Sequence, residues 1–453
     1  MLVVLSDLHF TEAQSTRLGE RTFNQNLPAE TYQAYLQEVN QIALANGVDK
    51  VDIVLAGDIF EVSRSAIWLQ GPERPYLDIA DITPKSETEK IILDILGVTG
   101  REEKVRQTLS IFRSLDDLFD VPVQLHYILG NHDRLVNATP ATRGKARELL
   151  GLDGGELSLA HYFIYHDDSG QPFCLVRHGH EYDPMNFSVD VHELNPIPTE
   201  FPEAVYGKAP LGDIITVELG SALPAYFLEE YGEEQILANP NLTALYERLM
   251  AFDDVRPTTA QLSYLFYTPG VRKRETWAIL QPCFQRAINA LSDNDLFLEK
   301  IRTASSIKKS QRLILTGIMS LDLLSAGIPY WMVKRLMKMV SKKIKLRSQT
   351  KWAKREALIQ DPLTGCKCVI SGHTHFPEVS LMSAKKGDER YYINTGTWRD
   401  MVPATKKFKG FGKLNAITKV IVFKPEASAD PDNARDWSFH YLSGVSYGMH
   451  RHI

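Results

Sequence analysis

Five short motifs in this 453-residue chain carry the residue types that metal binding and proton transfer need. They are Asp7-Leu-His9, Gly57-Asp58, Gly130-Asn-His-Asp133, His178-Gly-His180 and Gly372-His-Thr-His375. Carboxylate, amide oxygen and imidazole all ligate divalent ions, and imidazole also moves protons near neutral pH. Asp7 and His9, two apart on an extended segment, point the same way because side chains alternate along a strand. They form half of a metal site. Two acids, one asparagine and four histidines exceed the roughly four to six ligands that one ion takes. The set suffices for two ions if one carboxylate is shared. Oxygen and nitrogen donors without thiolate favour manganese, iron or zinc in open coordination over a structural zinc.

The elements that must position these residues are legible beside them. Each motif follows a short apolar run: residues 2–5, 52–56, 123–128, 173–176 and 367–370. A strand, helix, strand and then acid rhythm predicts a layered α/β fold whose working residues sit at the carboxyl ends of strands. Helical spacing predicts helices over 28–45, 86–96, 101–119 and 142–150, with Ser86 and Glu89 as a capping box. Residues 162–165 and 173–176, separated by Asp167-Asp-Ser-Gly170, read as a β-hairpin. Further strands are expected at 390–393 and 419–423, and Asn394-Thr-Gly-Thr-Trp398 turns between them near the metal site.

Composition sets the frame. With 44% hydrophobic and 24% charged residues, the chain reads as globular and neither disordered nor fibrous. The net charge of −5 hides an uneven distribution. Residues 181–266 are rich in acids, whereas 300–355 hold fifteen lysines and arginines with Asp322 as the lone acid. We expect three parts: core residues 1–184, an α-helical insertion over 185–361, and core residues 362–453. Within the insertion, 313–333 is apolar enough to suggest a membrane span, but Asp322, Gly327 and Pro329 interrupt it. Residues 331–345 alternate apolar and basic side chains at helical spacing. Such a segment suits an anionic membrane surface, nucleic-acid phosphates, a cover over a site for anions, or a solvated face. Four scattered cysteines fit reduced thiols in a cytoplasmic protein, peripheral to the inner face of a membrane if the basic segment binds lipid. The apolar N-terminus leads straight into Asp7 and reads as a strand, not a signal peptide.

The five motifs, in this order and each after a strand, resemble the pattern of the calcineurin-like metallophosphoesterases. The resemblance covers residues 1–183 and 366–398. It implies a two-sheet sandwich flanked by helices and a dinuclear centre, most simply of manganese, with iron or zinc as alternatives. It also implies that Asp7, His9 and His375 hold one ion, that Asp58 bridges, and that Asn131, His178 and His373 hold the other. His132 would then stand beside the scissile phosphate, with Asp133 orienting its ring. His180 and Trp398 are expected as outer or substrate contacts, while His126, His161, His166 and His192 match no motif. The closing Asn394–Trp398 turn is similar to the branch of UDP-diacylglucosamine hydrolases, which split a pyrophosphate at a membrane surface. The chain departs from that branch in its longer insertion and in His180, where the branch has an acid. A phosphorylated small-molecule or lipid-linked substrate is therefore expected. The alternatives are a nuclease whose residues 334–355 track phosphates, a protein phosphatase, or a non-catalytic scaffold, against which the complete ligand set argues.

Overall fold

The computed structural model describes residues 1–23, 26–303, 331, 348–385, 388–425 and 437–445. Its strands are β1 (Leu2–Leu5), β2 (Arg17–Leu18), β3 (Arg21–Thr22), β4 (Val51–Ala56), β5 (Val123–Ile128), β6 (Tyr162–His166) and β7 (Pro172–Arg177). After these come β8 (Val255–Arg256), β9 (Cys368–Ser371), β10 (Glu378–Lys385), β11 (Asp388–Asn394), β12 (Asp400–Pro403), β13 (Leu414–Phe423) and β14 (Ser438–Val445). The molecule is mixed α/β with several sheets.

One sheet runs β5-β4-β1-β13-β12-β8, with β14 also on β13. Within it β1, β4 and β5 are parallel, and β13 is antiparallel to β1. A second sheet runs β10-β11-β9-β7-β6, parallel across β7, β9 and β11. The alternation along β1 explains the layering. Leu2 and Val4 join Val54, Ala56 and Ile128 against Cys174, Val176 and Ile370 of the second sheet. Val3 and Leu5 point the other way, into a core shared with Tyr32, Leu36, Ile92, Leu96 and Leu109 of the covering helices. Burying each such side chain contributes about 1.5–3 kcal/mol, so a strand buried on both faces reads as an unbroken apolar run.

The helices fall close to where their spacing predicts, and the differences have local causes. Ser86 caps the helix Glu87–Thr99 by accepting from the Glu89 N–H at 3.2 Å. The Glu89 carboxylate accepts from the Lys85 N–H instead of closing the box on Ser86. The helix expected over 101–119 stops at Arg113. There Ser114 leaves helical geometry (φ −123°, ψ 39°) and returns its hydroxyl to the Ser110 carbonyl.

Helices Ala222–Tyr231, Pro240–Met250 and Lys273–Ser292 bury a core of their own, including Leu223, Phe227, Leu245, Leu249 and Leu280. One strand departs from the helical expectation for this region: β8 pairs in parallel with β12 and stitches the helices into the first sheet. Two residues are too short to show a period in sequence. Among the described residues, the helical stretch Glu203–Tyr231 is long and apolar enough to cross a membrane, yet 44% of its most apolar window is buried inside the molecule. The apolar 313–330 stretch, and 332–347 with most of the basic alternation, lie outside the described residues.

Candidate metal centre

The five motifs sit at the ends of β1, β4, β5, β7 and β9, and the sheets bring those ends together. The Asp7 N–H donates to the Gly57 carbonyl at 3.0 Å and the His9 N–H to the Asp58 carbonyl at 2.9 Å, which ties the first two motifs side by side. Seven non-glycine residues among those described have φ in the left-handed region. Five of them are Asp7 (54°), His9 (46°), Asp58 (53°), His373 (67°) and His375 (55°). Each costs about 1–3 kcal/mol and persists only where its surroundings over-determine it, a pattern that clusters at functional sites. Two glycines permit the close approach. A Cβ on Gly130 would collide with the Asp58 carboxylate, and one on Gly372 with that of Asp7.

Among the described residues three sets of side chains could hold an ion: His9, Glu61 and His132 make one, and the predicted ligands make the other two. In one of these two groups, Asp58, His178 and His373 bring a ligand atom each within 4.8 Å of one another. His178 Nδ1 donates to the Ala56 carbonyl at 2.9 Å, so Nε2 presents its lone pair. That atom is buried without a hydrogen-bond partner and faces Asp58 Oδ2 at 3.0 Å. Lone pair and carboxylate oxygen at that distance require a positive charge between them. The demand shows in the imidazole itself: burial lowers its pKa, but Asp58 and Asp7 override this and raise it to about 10. A divalent cation meets the same demand as a proton. Asn131 Oδ1 lies 3.1 Å from His373 Nδ1, and Asp183 Oδ2 lies 3.2 Å from His373 Nε2.

In the other group, Asp7 Oδ1 lies 3.2 Å from His375 Nε2, which is 3.0 Å from His9 Nε2. His9 Nδ1 is fixed by Glu61 Oε2 at 2.8 Å, the outer carboxylate that orients many metal-ligating imidazoles. Asp7 is fully buried, which by itself raises a carboxyl, yet His178 and His375 hold it well below the usual carboxylate range. His375 is different: its Nδ1 meets Arg256 Nη2 at 2.6 Å. Guanidinium can only donate, so in that arrangement Nδ1 accepts and Nε2 carries the proton. Ligation through Nε2 would place the proton on Nδ1, which could then no longer accept from Arg256. Both groups therefore fit divalent ions, the second with that adjustment.

His132 stands beside both groups, its backbone N–H donating to Asp58 Oδ1 at 2.8 Å. Its ring is oriented by Glu61, whose Oε1 lies 2.7 Å from Nδ1, and not by Asp133 as expected. Asp133 accepts instead from Gly130 N–H at 2.6 Å, Ile59 N–H at 2.8 Å and Tyr127 hydroxyl at 2.7 Å. It pins the turn that carries Asn131 and His132, and burial together with Asp58 raises it to about 6. Trp398 is likewise no substrate contact. Its indole is fully buried, stacked on Tyr32 with ring centroids 5.3 Å apart, and its N–H donates to the Thr418 carbonyl. What reaches the site from that turn is backbone and hydroxyl: Thr397 Oγ1 donates to the Asp7 carbonyl at 2.8 Å. His180 lies behind His178, centroids 5.5 Å apart, among Phe187 and Tyr206. Burial pushes it down to about 3, Glu181 opposing, so it is a neutral neighbour turned away from the cleft.

Four residues that the motifs did not flag join the site: Glu61, Arg64, Asp183 and Arg256. Glu61 follows Asp58 by three and Arg64 by six, a spacing that pointed to the same strand end without saying which way they face. Arg64 pairs with Glu61 and, at 3.1 Å, with Asp253. The two groups open onto a cleft of about 560 Å³ whose lining also includes Asp253, Arg256 and Trp352 of the insertion. No protein-family model matches the chain, and no curated protein matches it either.

Proposed function

We propose that the chain is a dinuclear metal-dependent phosphoesterase with the calcineurin-like metallophosphoesterase fold, acting on a phosphorylated small-molecule or lipid-linked substrate. The observation that carries this reading is the convergence of Asp7, His9, Asp58, His373 and His375 from separate strand ends, all held at left-handed φ with their ligand atoms facing one another. The two-sheet layering with helices outside supports the fold assignment. Two divalent ions, when bound, activate water near neutral pH and neutralise the phosphoryl oxygens during in-line displacement.

The chain's own residues do the rest. Asp58 faces both groups: Oδ2 lies 3.0 Å from His178 Nε2 and 3.8 Å from His9 Nε2. Glu61 holds His132 at Nδ1, which leaves Nε2 to the cleft. Burial lowers the His132 pKa, but Glu61 and Asp58 raise it above its ordinary value, which favours an imidazolium able to give its Nε2 proton to the leaving oxygen. From the insertion, Arg256 lines the cleft onto which these groups open.

Manganese-supported hydrolysis of bis-p-nitrophenyl phosphate beside p-nitrophenyl phosphate tests the reading, with bound manganese counted in parallel. Two ions per chain and hydrolysis of either ester support it; no bound metal and no hydrolysis overturn it.

A further inference from the structure

We infer that Arg256 is the receptor for a second anionic group of the substrate, a phosphoryl group next to the one cleaved, so that favoured substrates carry two phosphoryl groups in tandem. This rests on the phosphoesterase reading above.

Three arginines gather at the insertion side of the site, and two have carboxylate partners. Arg64 pairs with Glu61 and Asp253, and Arg399 pairs with Asp254 at 2.8 Å. Arg256 lines the cleft, and its hydrogen bonds go to carbonyls and an imidazole: Asp253 O at 2.5 Å, Val255 O at 3.2 Å and His375 Nδ1 at 2.6 Å. Among the described residues no carboxylate lies within ion-pair distance of it. Asp254 and Asp253 act on it only from beyond contact distance, so its guanidinium still has room for an anion, and guanidinium geometry matches phosphate oxygens.

Its placement is fixed from behind. Val255 is fully buried and β8 is paired to β12, so the backbone that carries Arg256 belongs to the sheet and not to a loose loop. Nη2 lies on the far side of the His375 ring from Nε2, one imidazole's width from the atom that faces Asp7. That offset suits a neighbouring phosphoryl group better than the reacting one. The two contacts are also exclusive. When His375 gives Nε2 to a cation, Nδ1 carries the proton and can no longer accept from Arg256. Nη2 then needs another acceptor, and the cleft in front of it is where a substrate oxygen lies.

The test compares binding of imidodiphosphate, a non-hydrolysable tandem phosphoryl probe, with inorganic phosphate by calorimetry at fixed free manganese. Wild-type chain should hold imidodiphosphate more tightly than phosphate. Arg256→Met should shrink that preference about 10- to 100-fold, the worth of a hydrogen bond to a charged group, while phosphate affinity and manganese stoichiometry change little. Arg256→Lys, which keeps charge without the fork, should lose part of the preference and carries the test if the methionine variant does not fold. An unchanged preference in either folded variant, with two manganese ions bound, overturns the inference and leaves the phosphoesterase reading intact. A wild-type chain that binds no manganese overturns both.

Discussion

His178 and His375 each face a buried carboxylate, and they are held there by opposite kinds of neighbour. His178 gives its Nδ1 proton to the Ala56 carbonyl, a group of the same sheet layer that carries Asp58. His375 meets Arg256, which comes from the insertion and can only donate. The first arrangement leaves Nε2 free for a cation whatever the insertion does; the second makes ligation conditional on where Arg256 goes. One side of the centre is therefore built by core strands alone, and the other is coupled to Arg256 of the insertion. On the phosphoesterase reading proposed above, coupling of that kind would tie metal binding to substrate binding on one side only.

Asp58 is the residue on which the two sides meet, so its neutralisation is expected to have the largest effect. Asp58→Asn removes a charge that faces both groups and should lower manganese-supported diester hydrolysis about 10³-fold. Near-normal turnover with both ions retained would break the idea that the two sides share a carboxylate.

The joint behind His178 gives the second prediction. Glu356, from the end of the insertion, is fully buried 3.4 Å from Arg177 of β7 and accepts from the Tyr182 hydroxyl at 2.6 Å. Burial raises its carboxyl from 4.5 to about 7, Arg177 and Tyr182 opposing. A group bound more tightly to its proton in the folded state stabilises most at low pH. The stabilisation is complete below about 4.5 and is lost as pH rises through about 7. The gap corresponds to at most about 3 kcal/mol. Thermal unfolding should show Glu356→Gln gaining stability over wild type as pH rises from 5 to 8. A constant difference across that range would mean that Arg177 keeps Glu356 charged throughout.

His132 tests whether proton transfer is separable from metal binding. His132→Ala should slow turnover about 10²-fold with manganese content unchanged, because its ring contacts Glu61 and not a carboxylate of either group's facing pair. Loss of metal in that variant would make His132 a ligand and merge the two sides into a larger cluster.

Much of this site is legible in the chain because each motif directly follows an apolar strand, and parallel strands in one layer end on the same edge. Asp7, His9, Asp58, Asn131, His178, His373 and His375 all arrive by that rule. What the sequence did not show depends on directions set elsewhere. Asp133 adjoins His132, yet the tight turn at Gly130 aims its carboxylate back at Ile59 and Tyr127. Trp398 closes the right turn, but its indole takes the inward side, toward Tyr32. Arg256 lies more than a hundred residues before His375 and reaches it only because two residues of β8 borrow the edge of β12. Among the described residues of 185–361 the helices follow the periodicity, and that single pairing leaves no trace in it.

Glu61 offers the smallest and sharpest test. Its two oxygens divide between His9 Nδ1 at 2.8 Å and His132 Nδ1 at 2.7 Å, so one carboxylate orients a metal-facing imidazole and the proton donor together. Arg64 and the two histidines hold it well below the usual range despite burial, so it is charged at neutral pH. Glu61→Gln keeps the shape and removes the charge, and outer partners of this kind shift metal affinity about tenfold or somewhat more. Because Glu61 touches His9 and not His178, the loss should fall on one manganese ion, leaving one tight and one weakened ion in a calorimetric titration. Equal weakening of both would mean that the two sides do not bind independently, and the contrast between a core-built side and an insertion-coupled side would fail.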